Sequence, residues 1–78
     1  MKYEKVRIEW DDAAVEDEWI AVDDIELKVI PVVSVGFKLK QNERWTVLAI
    51  TYDEDTDRAV GLQYIPTANI ITEEIWQE

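Results

Sequence analysis

The sequence predicts an all-β domain. Five short strands are expected, bent strongly enough to close as a small barrel, with at most one short helix. Three observations carry this. Apolar and polar residues alternate at period two in several separate runs. The runs are short and closely spaced, with turn-forming residues between them, as in small barrels and sandwiches. Gly36 lies inside one run, where a strand usually bends, bulges or meets another backbone closely.

Val6, Ile8 and Trp10 alternate with Lys5, Arg7 and Glu9, which marks a half-buried first strand ended by Asp11 and Asp12. Residues 11–26 then form an acidic insert. It holds eight acids (Asp11, Asp12, Glu16, Asp17, Glu18, Asp23, Asp24 and Glu26) and no Lys or Arg, with Trp19 and Ile20 as its anchors. Asp23 and Asp24 precede "IELKV", which suits the N-terminus of one short helical turn. Pro31 opposes any helix beyond Ile30. Val32–Lys40 reads as a second strand with Val33, Val35, Phe37 and Leu39 on one face. Ser34, Gly36, Lys38 and Lys40 take the other. Gln41–Arg44 has the length of a hairpin loop.

Trp45–Tyr52 is apolar on both faces, so it belongs at the centre of a sheet or in an interface. Ala59–Ile65 resumes alternation with Val60, Leu62 and Tyr64, and Pro66 ends it. "PTAN" fits a 3₁₀ turn, and Ile70–Trp76 a last strand. Closing such a sheet into a barrel buries one face of each strand and removes most free edges.

At 78 residues the chain reads as one domain, residues 1–78, too small to bury a large core. Four Trp and a hydrophobic fraction of 47% supply burial per residue, and self-association would supply more. There is no Cys and no His, which removes disulfides, the usual zinc ligands and the common nucleophile–base pairs. Ser34 is the only Ser and lies mid-strand, so nothing activates it. Neither an enzyme nor a cofactor is expected. A net charge of −10 disfavours nucleic acid and anionic membranes. No apolar run reaches membrane-spanning length, and "MKYEKVRIEW" does not read as a signal peptide. A cytoplasmic protein is expected.

The closing stretch "YIPTANIITEEIW" resembles the end of an SH3-type or Sm-like small barrel, where a 3₁₀ turn separates the last two strands. "VRIEWDDA", "VDDI" after a Trp, "PVVSVGF" and the "IP" before the last strand also resemble small uncharacterised proteins of tailed phages. The resemblance implies an Sm-like barrel of phage origin, acting in an infected host, whose copies form a homo-oligomeric ring by pairing edge strands. Many Sm-like proteins bind single-stranded RNA. Their loop patterns are not matched by "KQNER" or "IPTAN", so the barrel and the ring carry over and the RNA site does not.

Three surfaces are candidates. "TYDEDTDRAVG" places Asp53, Asp55 and Asp57 at alternate positions, as a calcium loop does. A calcium loop also needs Gly where Arg58 stands and an acid where Tyr64 stands, so a hairpin tip is the better reading. The acidic insert, through Asp11, Asp12, Glu16, Asp17, Glu18, Asp23 and Asp24, is a candidate interaction surface, either for a protein partner or as a mimic of nucleic acid that inhibits a host protein. Lys5, Arg7, Lys38 and Lys40 would form one basic patch if the first two strands pair, with Arg44 extending it. That patch suits the acidic insert of a neighbouring copy, or RNA at a degenerate site. Of the four Trp, Trp10, Trp45 and Trp76 fit burial in a core or interface, and Trp19 is the one expected to be exposed.

Overall fold

The computed structural model describes residues 2–12, 18–26 and 30–77. Five strands form one antiparallel sheet: β1 (Lys5–Asp12), β2 (Ile30–Gln41), β3 (Trp45–Asp53), β4 (Arg58–Pro66) and β5 (Ile70–Ile75). Their spatial order is β4-β3-β2-β1-β5. Two 3₁₀ turns complete the described structure, Val22–Asp24 before β2 and Thr67–Asn69 between β4 and β5. The all-β class and the turn before the last strand are as expected. Closure is not: β4 and β5 lie at opposite ends of the strand order and do not pair, so the sheet stays open.

β2 explains the bend. Its first half pairs with β1, from Asp12↔Ile30 to Lys5↔Phe37. Its second half pairs with β3, from Phe37↔Ala49 to Gln41↔Thr46. The changeover falls at Gly36 and Phe37. A Cβ on Gly36 would lie 2.7 Å from the Ala49 carbonyl oxygen, so the β3 backbone crosses where only glycine leaves room. A register shift between Lys38 and Lys40 turns the strand further.

Val6, Ile8 and Trp10 are buried as their alternation predicts, and they pack with Leu48 and Ile65. The phase expected for β2 is reversed. Register places Val32, Ser34 and Gly36 opposite Trp10, Ile8 and Val6, on the inner face, and leaves Val33 and Val35 exposed. The reason is volume. Bulky side chains on β1 need small ones beside them, and the Trp10 indole N–H donates to Ser34 Oγ at 3.0 Å. β4 behaves likewise: Ile65 is buried, while Val60, Leu62 and Tyr64 are exposed on the other face. Trp45 and Trp76 are also partly exposed.

Asp11 and Asp12 belong to β1, so the strand runs two residues into the stretch assigned to the insert. The 3₁₀ turn there, Val22–Asp24, contains Asp23 and Asp24 and has no side-chain cap, whereas a turn following those acids was expected; residues 27–29 of that stretch lie outside the described residues. Glu16 and Asp17 lie outside the described residues.

Thr46, fully buried, ties the far end of the sheet together. Gln41 Nε2 donates to its Oγ1 at 2.9 Å, and its hydroxyl meets Thr67 Oγ1 at 2.9 Å. Thr67 in turn donates to the Asn42 carbonyl at 3.0 Å. The second 3₁₀ turn is thereby fastened to the β2–β3 connection. Among the described residues, no helix is long and apolar enough to cross a membrane.

Candidate functional site: an uncovered hairpin face, two free edges and an acidic arm

The β3–β4 hairpin outruns its neighbours. β2 pairs with β3 only as far as Ala49, whereas β4 continues along it to Asp53↔Arg58. Register places Trp45, Val47, Ala49 and Thr51 on one face, beside Tyr64, Leu62 and Val60 of β4. Trp45 and Tyr64 meet edge to face at 6.4 Å. Val60 is 66% exposed and Leu62 49%. On the opposite face Ile50 is 76% exposed. Gly61, at φ 75°, lies against the Ile50 side chain. A two-stranded ribbon with apolar side chains on both faces is not stable in water by itself.

The edges are as open as the face. Among the described residues, β4 pairs with β3 alone and β5 with β1 alone. Each edge is a row of backbone donors and acceptors ready for another strand.

Two acids of the hairpin tip, Asp53 and Asp57, are held by neighbouring groups. Asp53 Oδ1 accepts from the Asp55 N–H at 3.0 Å, and its Oδ2 from the Thr56 hydroxyl at 2.8 Å. These bonds, that of Thr56 foremost, hold the Asp53 carboxyl below its ordinary pKa. Asp57, at φ 53°, accepts from the Tyr52 hydroxyl at 2.6 Å and pairs with Lys2 at 3.4 Å. The Tyr52 bond, then the Lys2 charge, lowers the Asp57 pKa, and the same bond pushes Tyr52 up to about 12. The alternating aspartates therefore build a turn from their own side chains, with Asp57 in the left-handed conformation that Asp tolerates.

The single basic patch expected on β1 and β2 does not form, although the strands pair. Arg7 faces Glu74 of β5 at 3.5 Å. Lys38 falls on the opposite face, opposite Leu48, and pairs with Glu73 at 2.8 Å. The register shift then returns Lys40 to the outer face, opposite Val47. Lys5 is engaged in an interaction of its own. Three cations have no acidic partner among the described residues: Lys40, Arg44 and Arg58. Arg44 precedes Trp45 at one end of the hairpin face and Arg58 lies beyond Val60 at the other, while Lys40, opposite Val47, also lines a cavity with Tyr52, Asp57 and Arg58. Arg58 was not among the expected patch residues. Its one sequence signal was to stand as the sole cation in the acidic tip, next to an alternating apolar run.

The described part of the insert, Glu18–Glu26, is an arm. Trp19 is fully exposed, and Ile20, Val22 and Ile25 are exposed too. Glu18, Asp23, Asp24 and Glu26 have no ion pair among the described residues. Asp11 and Asp12 stand at the end of β1, and residues 13–17 between them and the arm lie outside the described residues.

No protein-family model, curated protein or solved structure matches the chain.

Proposed function

We propose that this chain is a non-enzymatic, self-assembling binding or scaffolding module whose copies join into a ring. One observation carries the reading: the apolar surface is far larger than one chain covers. Among the described residues, six hydrophobic residues form the buried core, and fifteen large hydrophobics are exposed. The accessible surface is 6419 Å². A folded monomer of 9.2 kDa is expected to expose about 4,900 Å².

The free edges give the geometry. They lie on opposite sides of one sheet, so β4 of one copy against β5 of the next is a head-to-tail contact. Such a contact closes into a ring when its rotation permits and otherwise grows as a filament. The Sm-like resemblance of the closing sequence supports the ring, and the resemblance to tailed-phage proteins supports a phage origin.

Native mass spectrometry with light scattering at micromolar concentration tests the reading. A closed oligomer of defined mass is expected. A monomer throughout would refute it.

A further inference from the structure

We infer that the acidic arm Glu18–Glu26 of one copy docks on the outer β3–β4 face of another. This rests on the self-assembly reading and names the side-chain contact that accompanies it.

The two surfaces complement one another in shape of chemistry. The face offers exposed Val60, Leu62, Tyr64 and Trp45. The arm offers exposed Trp19, Ile20, Val22 and Ile25. Each is an apolar stripe that its own chain leaves in water, and burying such stripes against each other drives association. The charges also match. The face is flanked by Lys40, Arg44 and Arg58, the three cations without an acidic partner among the described residues. The arm carries Glu18, Asp23, Asp24 and Glu26 and no cation. Among the described residues the other cations are engaged within the chain: Lys2 with Asp57, Arg7 with Glu74, Lys38 with Glu73, and Lys5 in an interaction of its own. The unpaired cations therefore border one apolar surface, and the other apolar surface carries acids and no cation. A wholly exposed Trp makes a natural anchor, since buried aromatic residues dominate interface energetics.

A charge-swap mixing experiment on the full chain tests this. One variant carries Asp23→Lys and Asp24→Lys. The other carries Arg44→Glu and Arg58→Glu. All four positions are exposed, so both variants retain the fold, which circular dichroism checks. Each variant alone should associate at least about tenfold more weakly than the native chain by sedimentation, and an equimolar mixture should recover assembly through the swapped pairs. Trp19→Ala should weaken association comparably, without altering the melting of the dilute chain. Variants that assemble like the native chain, or a mixture no better than its parents, would overturn the docking and leave self-assembly standing. A native chain that stays monomeric would overturn both.

Discussion

A methyl group on Gly36 has no room. Its carbon would approach the Ala49 carbonyl oxygen to 2.7 Å and the Leu48 Cβ to 3.2 Å. Backbone does not yield as a flexible side chain does. Gly36→Ala should therefore lower the unfolding free energy by about 1–3 kcal/mol, the usual cost of overpacking, as measured by denaturant titration. A neutral result would mean that β2 does not turn there. At the hairpin tip the relevant quantity is the proton. Asp53 and Asp57 titrate below their ordinary value, so their stabilisation is present above pH 3.8 and is lost as pH falls through the lowered values. Tyr52 is raised from 10.0 to about 12, so its share is present below pH 10.0 and is lost as pH rises through about 12. Tyr52→Phe should move the Asp57 carboxyl titration upward and leave that of Asp53 unchanged, as followed by NMR. An unmoved Asp57 would exclude the 2.6 Å bond in solution.

At the scale of elements, β4 provides a contrast within one strand. Ile65 is fully buried against Leu48 and the β1 side chains, whereas Leu62 is half exposed. Ile65→Ala should cost about 2–5 kcal/mol, the range for large-to-small changes in a core. Leu62→Ala should cost well under half of that, provided the chain is dilute enough to be monomeric. Equal costs would mean that the faces of β4 are assigned wrongly. Much of this architecture was legible in the sequence. The alternation of Val6, Ile8 and Trp10 identified the buried face of β1, "PTAN" identified the second 3₁₀ turn, and Gly36 marked the close approach. The phases of β2 and β4 were not legible. Alternation tells which residues share a face, and it does not tell which face the isolated chain covers. Val33, Val35, Val60, Leu62 and Tyr64 are as apolar as core residues and lie outside the core. Nor did any residue type announce the register that puts Lys38 on the face opposite Arg7, or the shift near Leu39 that separates Lys38 from Lys40. Arg58 signalled only that the tip is not a calcium loop, and its place beside the apolar face follows from the β3–β4 register.

For the whole molecule, the contradiction lies between pattern and coverage. The sequence patterns its strands as if both sides of the sheet were to be buried, and one open sheet buries only part of them. Closing the barrel within the chain would have resolved this, but β4 and β5 remain unpaired. The proposed pairing between copies would resolve it as well, and would leave the outer hairpin face for the acidic arm. The ion pairs on the sheet are partly or largely exposed, and such pairs contribute only about 0–1 kcal/mol each. Stability should therefore rise with protein concentration, as in any fold completed by its own copies.

Amide hydrogen exchange along β4 and β5, followed over a dilution series, tests the pairing of free edges most directly. The outward-facing amides of both strands should be protected at high concentration and exchange rapidly on dilution, while the amides shared by β1 and β2 stay protected throughout. Edge amides that exchange at the same rapid rate at every concentration would contradict it.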